Sequence, residues 1–105
     1  MKNKAINALI EIGMPADING FNYIVDAMVL FEDKSWRESK TTAIYQKIAA
    51  DNKTTASSVE RCIRHAFQNV TTKGDLEKVN KYLTLCHTTN GNLLHTFYLK
   101  LTQEE

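Results

Sequence analysis

The 105-residue sequence has only two cysteines, Cys62 and Cys86. That is too few for the disulfide framework that staples small secreted domains, and it predicts a protein of a reducing cytoplasm. Long hydrophobic runs are also missing: the longest apolar stretch, residues 24–31, contains Asp26 and is far short of the roughly 20 residues needed to span a bilayer. No membrane association is expected. Lys2 and Lys4 precede only a short apolar stretch broken by Glu11, which is not the pattern of a signal peptide. No segment alternates with period two, no internal repeat is visible, and no low-complexity linker divides the chain. There is no phosphate-cradling glycine loop, nucleophile elbow or metalloprotease helix, so neither an enzyme nor a cofactor is expected.

With 43% hydrophobic and 24% charged residues, the chain has the composition and length of one folded domain, residues 1–105. The formal net charge is only +1, but its distribution is uneven. Between Lys34 and Lys73 lie eight cations against Glu38, Asp51 and Glu60, a net +5, leaving −4 for the rest. A basic middle third suits contact with phosphate, while the flanks face water or protein.

Helical spacing recurs throughout and predicts an all-α fold of about six helices in one bundle. Ile6, Leu9 and Ile10 mark a first helix over residues 3–12, closed by Gly13. Asp17 or Asn19 can cap a second carrying Phe21, Ile24, Val25, Met28, Val29 and Phe31, apolar on nearly every side and so expected at the centre. Residues 32–39 read as a connection or a first helical turn, with Trp36 over the core or beside a DNA backbone. A third helix carries Ile44, Tyr45, Ile48 and Ala49, and a fourth runs over residues 56–70. Gly74 and Asp75 precede a fifth with Leu76, Val79, Tyr82 and Leu83. Leu93, Leu94, Phe97, Tyr98 and Leu101 mark the last, docked on the core or used as a dimer contact.

The third and fourth helices have the layout of a helix-turn-helix over residues 45–70. Ala49 is the small contact residue of the first helix. Val59, Cys62, Ile63, Ala66, Phe67 and Val70 form one wide apolar face on the second. The outward face then carries Ser57, Ser58, Glu60, Arg61, Arg64, His65 and Gln68, groups that bind base edges or phosphates. Arg can take guanine's two acceptors bidentately, and Glu60 can accept from a cytosine amino group while repelling phosphate. Thr55 can cap the second helix where a phosphate would be drawn to its N-terminus, although Ser57 and Glu60 offer a competing capping box. Lys47 and Lys53 are placed to meet phosphate. The usual turn glycine is absent, so Asn52 or Lys53 must take the tight conformation.

The run Ile48-Ala49, Thr54-Thr55-Ala56-Ser57, Val59-Glu60-Arg61, Ile63-Arg64-His65-Ala66 resembles the C-terminal DNA-binding effector domain family of the sporulation response regulator, stage zero sporulation protein A. The likeness extends upstream through Ile12-Gly13, Pro15-Ala16, Ile18 and Gly20 and downstream to Lys73-Gly74, fading after about Leu83. It implies a six-helix bundle that binds promoter DNA, often at tandem boxes, and regulates transcription. Glu60, Arg61, Arg64 and His65 would lie on the recognition helix, with Arg61 and Arg64 as principal readers and Ser57 holding the backbone. It also implies contact with RNA polymerase sigma factor near the fifth helix, and weak homodimers on tandem sites. Ser58 stands where the family pattern has an arginine, which alters affinity or target preference. The receiver domain that precedes this domain in the family is not among these residues. That motivates an alternative: a receiver-less protein-interaction module pairing with a full-length regulator or a polymerase subunit. A zinc site built from Cys62, His65, Cys86 and His87 is disfavoured, because Cys62 belongs to the inward stripe and His65 to the outward face.

Overall fold

The computed structural model describes residues 1–84 and 89–103, and the described residues are all-helical. Helix α1 (Lys2–Glu11) turns Ala5, Ala8 and Leu9 inward. Gly13 follows with a φ of +89°, as expected of the residue that closes a helix. Its N–H donates to the Ile10 carbonyl and that of Met14 to the Leu9 carbonyl, each at 3.0 Å. Ile10, expected on the apolar stripe, is 56% exposed. The inward row runs through the alanines instead, which lets α1 lie close to its neighbours.

Helix α2 (Asn19–Leu30) buries Phe21, Tyr23, Ile24, Val25, Ala27 and Met28. It packs against α1, α4, α5 and α7, the central position its composition predicts. Neither Asp17 nor Asn19 caps it. Ile18 holds the cap position with an extended backbone and no side-chain cap bond, and packs on the core, so the chain enters α2 through an apolar anchor. Val29 lies outside the buried set.

A single helical turn, α3 (Lys34–Arg37), stands apart in the segment read as a connection or first turn, making seven helices among the described residues. Asp33 caps it, accepting from the Ser35 amide at 2.9 Å and the Ser35 hydroxyl at 2.8 Å. The Ser35 hydroxyl, then its amide, holds the Asp33 carboxyl below its usual range. Trp36 is half-buried on the core. Arg37 donates to the Tyr98 hydroxyl at 3.0 Å.

Helices α4 (Thr41–Asp51), α5 (Ala56–Lys73), α6 (Leu76–Tyr82) and α7 (Asn90–Gln103) complete the bundle. Helix α5 continues three residues beyond its expected end, and Asp75 caps α6 by accepting from the Glu77 amide. Leu76, expected on the α6 stripe, is 54% exposed, whereas Val79, Tyr82 and Leu83 are buried. Leu93, Leu94, Phe97 and Leu101 are buried, so the α7 stripe belongs to the core. No helix among the described residues is long and apolar enough to cross a membrane.

Helices α2 and α5 cross in close contact at Gly20. A Cβ there would clash with the Cys62 carbonyl oxygen and stand 2.7 Å from the Ala66 Cβ. Backbone therefore meets backbone where α2 crosses α5, and only glycine on one side and small residues on the other allow it. Gly20→Ala should cost about 3 kcal/mol of stability, as overpacking at a contact that cannot relax does. Urea denaturation measures this, and an unchanged midpoint would contradict the close approach.

Candidate nucleic-acid interface

Helices α4 and α5 and the turn between them form the helix-turn-helix. Ile44, Tyr45, Ile48 and Ala49 are buried on α4, facing the core with Val59, Ile63, Ala66, Phe67 and Val70 of α5. Cys62, the remaining member of the expected α5 face, is half-buried at the Gly20 crossing. With that face fixed inward, the rest of α5 points away from the core.

Lys53 takes the turn conformation that glycine usually fills, with a φ of +55°. The Thr54 amide then donates to the Ala49 carbonyl at 2.9 Å, closing α4 in the manner of α1 at Gly13. The Asn52 side-chain amide donates to the Ile48 carbonyl at 2.8 Å and to Asp26 Oδ2 on α2 at 3.1 Å. The turn is thus tied both to its own helix and to the central one. The sequence gives no spacing rule for the Asp26 link, since its partners are 26 positions apart.

Thr55 caps α5, its hydroxyl oxygen accepting from the Ser58 amide at 3.1 Å. The competing capping box does not form, because the Glu60 carboxylate is engaged elsewhere. Arg64 Nη1 donates to both its oxygens, at 2.6 and 2.9 Å. Ser57, Arg61, Arg64 and Gln68 form an exposed row along α5, with Glu60 on one flank and His65 and Ser58 on the other.

Ion pairs divide the cations of the basic stretch into two groups. Lys34 pairs with Glu38 at 3.8 Å, Lys47 with Asp51 at 3.1 Å and Arg64 with Glu60 at 2.6 Å, each one helical turn apart. Arg37 is spent on Tyr98, donating to its hydroxyl and lying 5.5 Å from its ring centre. Among the described residues, Lys40, Lys53, Arg61 and Lys73 are exposed and make no ion pair, and of these only Arg61 lies on the outward row of α5. Of the two arginines expected to read bases, one is therefore open and the other held by its own helix.

A cleft of about 630 Å³ runs beside α5, walled by Glu60, Arg64 and Gln68 on one side and by Thr41, Tyr45 and Asn90 on the other. Burial raises the Tyr45 phenol above its ordinary pKa. A hydrogen bond from Asn90 acts in the opposite direction, and the nearby Glu60 and Arg64 charges also act on it. Asn90 was not legible as part of this site, being 30 positions from Glu60 with no motif linking them.

Cys86 and His87, invoked in the zinc alternative, lie outside the described residues. Cys62 is half-buried at the edge of the inward face of α5, whereas His65 is exposed. Among the described residues, no three metal-ligating side chains converge. His95 is an exposed residue of α7 whose ring lies 4.8 Å from that of Phe31 and within hydrogen-bonding distance of the Gly91 and Arg37 carbonyls.

Lys53→Gly should raise stability by about 1 kcal/mol, because a left-handed lysine costs what a glycine does not. A thermal melt of the variant checks this, and a lower melting temperature would show that Lys53 makes compensating contacts in the turn. Against known families, the one described as Sporulation initiation factor Spo0A C terminal matches residues 5–101.

Proposed function

Because the chain belongs to the Spo0A C-terminal family, whose domain is a sequence-specific DNA-binding domain of a sporulation transcription regulator, we propose that it reads duplex promoter DNA with the outward row of α5. The observation that supports this most directly is the exposed line of Ser57, Arg61, Arg64 and Gln68, with an unpaired Arg61 at its centre. Arg61 and Arg64 contact base edges or adjacent phosphates, and Glu60 discriminates by accepting from a cytosine amino group. His65 and Ser58 lie on the flank, the latter lacking the long cationic reach of the family's arginine. Thr55 and Ser57 hold phosphate at the start of α5, where free amides and the helix dipole favour an anion. Lys53 and Lys47 add sequence-independent attraction, Lys47 after release from Asp51. Family membership favours this reading over a receiver-less protein-interaction module.

The reading covers residues 1–105 as one effector domain and extends to two further partners. One is RNA polymerase sigma factor, meeting α6 and its flanking loops, where the exposed Leu76 supports an apolar contact. The other is a second copy of the chain, paired weakly on tandem sites.

Selection of bound sequences from random duplex DNA, followed by salt titration, tests the central claim. An enriched motif with a salt-dependent affinity is expected, and no motif at low salt would overturn it. On the selected site, Arg64→Ala should cost about 1 to 3 kcal/mol and relax preference at one base pair. Unchanged affinity would remove Arg64 from the readers. Lys53→Ala should instead weaken selected and scrambled duplexes equally and lower the slope of affinity against salt by about one ion. A loss confined to the selected site would show base reading by Lys53.

A further inference from the structure

The recognition helix is held on the flank away from Gly20 by residues outside the helix-turn-helix. The Asn90 side-chain amide, at the first position of α7, donates to the backbone carbonyl of Glu60 at 3.0 Å. Asn90 also borders the buried Tyr45 of α4 across the cleft and acts to lower the pKa of its phenol. The next residue, Gly91, sits so close to α4 that an added Cβ would be 3.0 Å from the Thr41 hydroxyl oxygen. Two consecutive residues of α7 thus touch the first turns of α4 and the carbonyl row of α5 together.

Glu60 and Arg64 are one helical turn apart, and their side chains are joined across the same turn. A donor anchored on Glu60 fixes the rotation and advance of α5 at the place where its reading side chains leave the backbone. Base recognition depends on that pose, since a bidentate contact needs both acceptors within hydrogen-bonding reach. We propose that Asn90 is a positioning residue for DNA recognition: a strut from α7 that sets the angle between α4 and α5 and so the aim of Glu60 and Arg64. It touches no DNA itself. The inference rests on the reading of α5 as the base-contacting helix.

The test compares wild-type chain, Asn90→Ala and Asn90→Asp for binding to the selected duplex and to a scrambled one, with melting temperatures taken alongside. Asp is nearly isosteric and favourable in the first turn of a helix, so this variant keeps α7 formed while losing the donor to Glu60. Its added charge lies in the cleft that Arg64 also lines and can act on that arginine directly, so the inference requires the neutral Asn90→Ala to show the same effect. The selected-to-scrambled ratio should fall about tenfold in both variants, the equivalent of one misaimed base contact. The penalties for mismatches at the base pairs read by Glu60 and Arg64 should flatten, while those elsewhere in the site persist. A merely structural role would instead lower both affinities in proportion to the unfolded fraction and leave the ratio and mismatch profile at wild-type values. Either result in a folded variant would overturn the inference: an unchanged ratio, or an unchanged mismatch profile. Should Asn90→Ala fail to fold, Asn90→Ser, which is neutral, suits a helix start and is shorter than the amide that reaches Glu60, decides in its place. A wild-type chain that selects no motif overturns the DNA-site reading first and the strut with it, so the two failures are distinguishable.

Discussion

The approach of α2 to α5 at Gly20 is the contact on which the rest of the arrangement depends. Helices normally stand 8 to 10 Å apart according to the side chains between them. Here a residue without a side chain lies against the Cys62 carbonyl and the Ala66 methyl, leaving no room between the two helices for even a methyl group. Once α5 lies this close to the central helix, Val59, Ile63, Phe67 and Val70 have only one direction in which to bury. Asn52, bonded to Asp26 of the same α2, ties the preceding turn to the same support. Asn90 then meets α5 from α7. The outward face of α5 is thus a consequence of contacts on its other sides, and the residues that set it are not the residues that use it.

The basic middle of the sequence is less available than its net charge suggests. Four of its eight cations are engaged, three with carboxylates one turn away and Arg37 with a tyrosine. Pairs at that spacing on exposed helix faces contribute only about 0.3 to 0.5 kcal/mol, and salt weakens them further. They open readily when a phosphate or a base edge offers more. On the proposed reading, such a domain keeps its surface close to neutral when free and exposes its charge on binding, in line with a net charge of only +1.

Much of this was legible in the sequence, for reasons that differ between elements. The six long-pattern helices and the inward face of α5 follow from apolar periodicity, which burial enforces and which needs no knowledge of the partner. Lys53 at the turn could be anticipated because the loop is too short for any other residue but Asn52 to take the tight position. Thr55 as the cap, rather than Ser57, was open in the sequence and was decided by Glu60, whose carboxylate is drawn to Arg64 and not back to the helix start. The exposures of Ile10 and Leu76 were missed because a stripe two or three residues wide leaves its edge undetermined until neighbouring helices arrive. The separate turn α3 has four residues, too few for periodicity to register. Gly20 and Asn90 were illegible as supports because each acts through a backbone carbonyl on a distant helix. Backbone acceptors carry no residue signature, so no pattern of side chains could point to them.

Glu60 lies where three demands meet, and their relative sizes decide how the site works on the proposed reading. Its carbonyl receives Asn90, its carboxylate holds Arg64, and the same carboxylate is the acceptor available to a cytosine amino group. The ion pair contributes a few tenths of a kcal/mol, whereas a good bidentate base contact contributes about 1 to 3 kcal/mol of discrimination. On a matching site both side chains exchange each other for base edges, and the small cost of separating them is offset. On a mismatched site Arg64 gains nothing on leaving Glu60, while the freed carboxylate faces phosphate without a counter-charge. The pair is therefore a threshold against wrong sequences more than a source of stability. Its usefulness rests on the carbonyl below being held still, because a helix free to rotate would let Arg64 reach phosphate without leaving its partner.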